Sequence, residues 1–327
     1  MSNLSQDLLI PQSELQTAVD ILRGGGVVAF PTETVYGLGA DAANQKAIET
    51  LYQVKNRPAN RPLTVHLADT DEIGQWVNAI PPAAQKLIDH FCPGPLTLVL
   101  PRRTHVLDIV TAGGDSVGIR LPSHPMARQL IRAFGRGLVA PSANRSGYLS
   151  PTSAEHVRQE LGDSVPLVID GGPCQMGIES TITDFSCATP RLLREGLLTL
   201  DILQETAGVY IEPADEHSAA SAGQHYTPHT LAIACPSDRL AETAARMSAE
   251  NSAPLALVFY SASLSLPSSP SVRPVQLPAE PLGYAKRLYS ALRYLDGCCL
   301  NCILIEELPD AKEWDVLRQR IKQITKR

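Results

Sequence analysis

Aromatic residues are scarce in this 327-residue chain, which has 5 Phe, 9 Tyr and 2 Trp. Recognition of single-stranded nucleic acid relies on aromatic stacking platforms, so that scarcity speaks against a stacking protein. Excess positive charge is missing as well. The chain has 28 Lys and Arg against 34 Asp and Glu, a formal net charge of −6. A dedicated duplex binder needs a basic face for the phosphates, although a local basic pocket fits inside an acidic chain. No apolar run approaches the roughly 20 residues that cross a bilayer, so no membrane role is expected. The opening MSNLSQDLLIPQS lacks the basic, apolar and small-residue segments of a secretory signal. Seven cysteines, an odd number, fit a reducing cytoplasm better than a disulfide framework.

Several chemical signatures are also absent. There is no Walker A sequence, no serine nucleophile elbow and no zincin histidine pair. Cys299-x-x-Cys302 has no second pair and lies in a strand-like run, which predicts buried thiols rather than zinc. Gly37–Ala42 and Gly135–Ala140 match a loose dinucleotide fingerprint. The first begins seven residues after its strand and the second runs into a strand, so both fail on context.

What is present describes a globular protein, 44% hydrophobic and 19% charged, of a length that predicts two domains. A helix is predicted over 13–24 from a Ser13/Gln16 capping box and an apolar face of Leu15, Ala18, Val19 and Leu22. A strand at 27–30, a turn-rich PTETVYGLGADA and a helix from Asn44 follow. Alternation predicts strands at 63–67 and 117–121, with others near 137–140, 167–170, 180–184 and 191–194. Helices are predicted at 127–134 and after a Thr152/Glu155 capping box. Mixed strands and helices over about 200 residues indicate an α/β domain. From Thr206 to Leu231 the apolar period disappears, which reads as a linker or a functional loop. LAIAC, LALVFY and CCLNCILI then alternate with helices, a small βαβ-type domain interrupted by the Ser/Pro-rich loop SASLSLPSSPSVRPVQLPAE.

Alternation also separates core from candidate site. Leu63, Val65 and Leu67 face one way and Thr64 and His66 the other, while Arg120 and Gly118 oppose Val117, Ile119 and Leu121. His66 and Arg120 then either meet in a cleft or lie on a solvated sheet face; periodicity alone favours the latter. Lys55, Arg57 and Arg61 sit where a helix ends at Pro58. They complement the helix dipole without any ligand or form a phosphate clamp, and the sequence weighs the two equally. The Pro141–Gly147 and Asp170–Thr181 segments place small hydroxyl and amide residues near strand ends, as plain turns or as ligand contacts.

Taken in order, these segments resemble the two-domain threonylcarbamoyl-adenylate synthases, whose catalytic part is YrdC-like. The resemblance rests on FPTETVYGLG at 30–39, Lys55-x-Arg57-Pro58 with Pro62-Leu63-x-Val65-His66, and Pro93-Gly94-Pro95-Leu96-Thr97. It continues through Gly118-x-Arg120-Leu121-Pro122, Ala140-Pro141-Ser142-Ala143-Asn144-x-Ser146-Gly147, Asp170-Gly171-Gly172-Pro173-Cys174 with Glu179-Ser180-Thr181, and Leu193-Arg194-Glu195-Gly196. The matches span roughly 25–196. The resemblance implies a twisted mixed-sheet domain with a deep basic cleft over 1–206, a linker and possible lid over 207–230, and a small Rossmann-like domain over 231–327.

It further implies that L-threonine, bicarbonate and ATP (with Mg2+) react to give threonylcarbamoyl-AMP, for hand-off to a tRNA threonylcarbamoyl-transferase complex. Thr34, His66, Arg120, Ala140 and Ser180 would contact threonine. Lys55, Arg57, Arg61, Ser116, Ser142, Ser150 and Arg194 would contact ATP. No protein nucleophile is required. The linker departs from the family pattern: Ser221-Ala222-Gly223-Gln224-His225-Tyr226-Thr227-Pro228 replaces Ser-Pro-Gly followed by His-Tyr-Ala-Pro, with Tyr226 the candidate closing residue. Two rival readings are an RNA-binding module of the same fold without ATP chemistry and the carbamoyl-transfer branch of hydrogenase maturation. The −6 charge opposes the first. About two dozen residues before the YrdC-like part, with no paired cysteines, oppose the second.

Overall fold

The computed structural model describes residues 9–214, 226–250, 254–262 and 271–325. The chain divides into two compact units, Met1–Ser146 with Pro151–Gly223, and Gly147–Ser150 with Gln224–Arg327. Among the described residues no helix is long and apolar enough to cross a membrane.

The first unit opens with α1 (Gln12–Arg23), then β1 (Val28–Phe30), β2 (Gly37–Asp41), α2 (Gln45–Lys55) and β3 (Thr64–His66). It continues with α3 (Pro82–Phe91), β4 (Leu96–Pro101), α4 (Asp108–Thr111), β5 (Ser116–Arg120), α5 (Pro125–Phe134) and β6 (Leu138–Val139). It closes with α6 (Ala154–Leu161), β7 (Thr181–Asp184), β8 (Arg191–Arg194) and α7 (Leu200–Ala207). The eight strands form one mixed sheet in the order β1-β2-β6-β3-β5-β4-β7-β8, parallel at β3/β5 and β4/β7 and antiparallel elsewhere.

Local chemistry explains the helix ends. Asn44 Oδ1 accepts the N–H groups of Lys46 and Ala47 at the start of α2. Gly135, at φ +86°, ends α5 in the left-handed conformation that a Cβ disfavours. The two capping boxes predicted from sequence do not form. Pro11 precedes α1 with no side-chain cap, and Ser153 rather than Thr152 caps α6, accepting from His156 N. The cap lies two residues before the predicted Ser13 in α1 and one residue after the predicted Thr152 in α6, so the paired side chains no longer face the free N–H groups. The turn-rich segment after β1 contains strand β2, and the strand expected near 167–170 is a single bridge from Val168 to Ala29.

Met126, Ala127, Leu130, Ile131 and Phe134 of α5 pack with Leu15, Ala18, Val19 and Leu22 of α1 over Val28, Phe30 and Leu138. A larger cluster covers other parts of the sheet, including Val65, Leu98, Val117 and Ile119. Truncating one such side chain, Leu130→Ala for example, costs about 2–5 kcal/mol because the close-packed surroundings cannot collapse into the void. The chain stays with this unit beyond α7: Ile211 is buried in the larger cluster, and Leu192 N donates to Glu212 O (2.7 Å).

The second unit holds β9 (Leu231–Cys235), α8 (Ser237–Glu250), β10 (Leu255–Phe259), β11 (Val272–Gln276), α9 (Pro281–Asp296), β12 (Cys302–Glu306) and α10 (Asp315–Thr325). Its four strands are all parallel, in the order β11-β10-β12-β9. Strand β11 lies inside the segment read as an irregular loop; it is an edge strand, where Pro274 costs no central ladder bond. Of the Cys299/Cys302 pair only Cys302 is buried, whereas Cys299 is exposed at φ +53°.

Candidate functional site

The predicted alternation holds in β3 and β5, and it carries polar residues into the protein rather than onto a solvated face. His66 pairs in register with Arg120, and Arg120 with Thr97 of β4, so three adjacent strands place polar residues at one level. His66 is 2% exposed and Arg120 6%. Gly118 stands between Thr64 and Thr97; a Cβ there would lie 3.2 Å from Thr64 Oγ1 and 3.5 Å from Thr97 Cγ2.

The segment after β1 folds onto this row. Arg120 Nη2 donates to Thr34 Oγ1 (2.7 Å) and to Glu33 Oε1 (2.8 Å), while Thr32 Oγ1 contacts Thr34 Oγ1 at 2.9 Å. Arg120 Nε is buried and has no acceptor among the described residues. A buried guanidinium nitrogen without a partner is unfavourable unless something binds there. On the other side, Ser180 Oγ lies 2.9 Å from Thr97 Oγ1 and accepts from Arg194 Nη2 (3.2 Å), while Arg194 Nε donates to Ser180 O (3.0 Å). Gly196 permits this approach, since a Cβ there would come within 2.6 Å of Glu179 O.

Burial, and secondarily the Arg120 charge, lowers the His66 pKa to about 3. The ring is therefore neutral near pH 7. Its contact to Thr64 O (3.2 Å) is then made by Nδ1–H, which leaves Nε2 as an acceptor.

A second group surrounds the loop after β6. Ala140 N donates to Thr64 O (3.1 Å), and two residues on, Ser142 and Asn144 offer their carbonyls to the Lys55 ammonium. Lys55 is 2% exposed, and burial followed by repulsion from Arg57 pushes its pKa down to about 7. The loop is strapped further by Ser146 N to Lys55 O, Ala143 N to Tyr36 O and Leu38 N to Pro141 O, each 2.8 Å. Arg61 Nη1 donates to Ser146 Oγ (3.3 Å) and Arg57 Nη2 to Pro62 O (2.9 Å). Ser116, at the start of β5, shares a strand face with Gly118 and Arg120 but lies four residues, roughly 13 Å, from the arginine.

The structure therefore gathers Thr34, His66, Arg120, Ser180 and Arg194 on one stretch of sheet. Lys55, Arg61 and Ser142 cluster at the loop that begins from Ala140. Ser150 and Tyr226 belong to the second unit. Ser150 is buried there, its carbonyl accepting from Arg293 Nε (3.3 Å), and Tyr226 is buried against Tyr289 with the Arg320 guanidinium 4.6 Å from its ring centroid. The remainder of the linker motif, 221–225, lies outside the described residues. Sequence reasoning missed Glu33 and Thr97. Both stood inside quoted motifs, but neither segment has an apolar period that shows which strand it meets.

Buried cations and hydroxyls thus gather on the mixed sheet of an α/β unit. The profile of the Sua5–YciO–YrdC family, described as "Telomere recombination", matches residues 20–196, and one described as "Threonylcarbamoyl-AMP synthase, C-terminal domain" matches 196–323. The chain belongs to the Sua5–YciO–YrdC family. It is 35% identical over 317 residues to the threonylcarbamoyl-AMP synthase of Bacillus subtilis, covering 94% of this chain and 92% of that protein. It is 40% identical over 232 residues to the Pyrococcus abyssi enzyme, 68% of each chain. The crystal structure of P. abyssi Sua5 complexed with L-threonine superposes with a TM-score of 0.88 at 32% identity, covering 97% of this chain and 95% of that one.

Proposed function

We propose that this chain is a threonylcarbamoyl-AMP synthase, joining L-threonine, bicarbonate or CO2, and ATP into threonylcarbamoyl-adenylate with release of pyrophosphate. The observation that carries the reading is the buried Arg120 Nε without an acceptor, on a sheet face shared with His66, Thr97 and Ser180. A relative of the same two-domain extent was solved with L-threonine bound.

In this reading the threonine carboxylate accepts from Arg120 Nε–H, the guanidinium donor that Glu33 and Thr34 leave available, in a charge-assisted hydrogen bond. Thr34, Ser180 and the Ala140 backbone bound the amino acid. Neutral His66 accepts from its amino or hydroxyl group at Nε2. The amine adds to CO2, forming the N–C bond and losing a proton, and a carbamate oxygen attacks the α-phosphorus as the bond to the β-phosphate oxygen breaks. Holding the three reactants together removes much of the entropic barrier. Charge growing on the phosphate meets Arg57, Arg61 and Arg194, with the hydroxyls of Ser116, Ser142 and Ser150 completing the nucleotide set. Lys55 acts largely through the Ser142–Asn144 carbonyls that it holds. Mg2+ enters with ATP as part of the substrate. The catalytic domain runs on through residues 207–214, which pack on the first unit, the linker follows up to residue 230 and 231–327 form the C-terminal domain, and the product passes to a tRNA threonylcarbamoyl transferase.

Pyrophosphate release with ATP, threonine and bicarbonate, then with each omitted, tests the reading. It predicts that all three are required. Undiminished release without threonine contradicts it, and an RNA mobility shift without ATP turnover would favour the nucleic-acid module.

A further inference from the structure

We infer that Glu33 is the positioning residue of Arg120, holding the guanidinium at Nη2 so that its Nε–H stays available to a substrate carboxylate. The inference rests on Arg120 as the partner of the threonine carboxylate, and it deepens that reading by assigning the group that aims the arginine. Glu33 is 1% exposed. Its Oε1 accepts from Arg120 Nη2 at 2.8 Å, and its Oε2 accepts from the backbone N–H of Ser123 at 3.0 Å. The Glu33 carbonyl is itself pinned, accepting from Met176 N at 2.9 Å.

This geometry has a consequence for recognition. An arginine–carboxylate pair usually closes as two parallel bonds, which would occupy the fork. Here Glu33 gives one oxygen to the arginine and the other to a backbone group three residues past it, so the carboxylate ties the end of β5 to its own side chain. Thr34 Oγ1 takes the same Nη2, and among the described residues Nε is buried without a partner. Cys92 and Cys174 stay neutral thiols, burial pushing both up to about 12; burial also lowers His124, and His66 is uncharged. Glu33 thus balances a buried cation without competing for the Nε–H that reads the substrate.

The test titrates L-threonine and L-threoninol, which lacks the carboxylate, into the full-length wild type, Glu33→Gln and Glu33→Asp by calorimetry, alongside steady-state KM for threonine and ATP. A positioning role predicts L-threonine weakened about 10-fold or more in Glu33→Gln, the size of one charged hydrogen bond, with a matching rise in threonine KM. L-Threoninol affinity and ATP KM stay within about twofold of wild type. Glu33→Asp, which keeps the charge but shortens the reach, shifts in the same direction; it decides the matter if near-UV circular dichroism shows Glu33→Gln misfolded. Unchanged L-threonine binding, or parallel losses for both ligands, overturns the positioning role and leaves the threonine site standing. A wild type that binds no L-threonine removes the threonine site and the positioning role together.

Discussion

The two sheets of this protein treat buried polar groups in opposite ways. In the second unit, β10 and β12 are buried along their whole length, and the carboxylate at their end, Glu306, is fully answered. Its oxygens accept Tyr260 N (2.8 Å), Ser261 N (3.1 Å) and the Ser261 hydroxyl. In the first unit, Arg120 and His66 are themselves buried, yet among the described residues Arg120 Nε has no acceptor. Burial alone does not distinguish a site from a staple. A satisfied buried charge stabilises one conformation, whereas a buried donor left open is a cost that only a ligand removes. The Tyr284 hydroxyl, buried without a partner in the second unit, is a lone phenol and lacks such a convergent set.

Four substitutions or conditions sharpen that contrast. Arg120→Ala has the largest expected effect, raising the threonine KM on the order of 100-fold, as for loss of charged hydrogen bonds, while ATP KM changes little. Equal effects on both substrates would break the division of the pocket. The same variant strands Glu33, so its stability falls by about 3–5 kcal/mol in denaturant unfolding. Arg57→Ala should lower pyrophosphate release by roughly 10–100-fold with a thermal midpoint near wild type, because truncating a half-buried cation opens no core cavity. Near-normal turnover removes the clamp assignment.

Glu306→Ala reverses the pattern. It leaves two backbone N–H groups unanswered and should cost about 1–3 kcal/mol of stability, with threonine and ATP KM unchanged. The smallest effect is in pH. The His66 pKa is lowered to about 3 from the 6.5 of an exposed imidazole, so folding favours the neutral ring. Its stabilising contribution is full above pH 6.5 and is lost as pH falls toward 3, and threonine affinity should be flat from pH 8 to 6. A histidine-like limb near 6.5 in the wild type that vanishes in His66→Asn would contradict the burial argument.

These contrasts also show what the sequence could disclose. Period-two alternation revealed that His66 and Arg120 share a polar side, because a pleat fixes side-chain direction whatever the surroundings. It did not reveal burial, since a solvated face and a lined site have the same pattern. Glu33 was legible as part of a motif but not as Arg120's partner: the pairing depends on a loop folding across the sheet, which no local period encodes. Strand β11 was hidden because Ser and Pro dominate its neighbourhood, and only its edge position makes Pro274 acceptable. The capping boxes failed for a smaller reason, a shift of one or two residues in helix start that moves the paired side chains off the free amides.

The most direct measurement is the Arg120 Hε–Nε resonance of the full-length protein, followed by NMR as L-threonine is added. The account predicts a downfield proton shift that saturates with threonine and is absent with L-threoninol, because the Nε–H gains a carboxylate acceptor. An unmoved resonance at saturating threonine would contradict it.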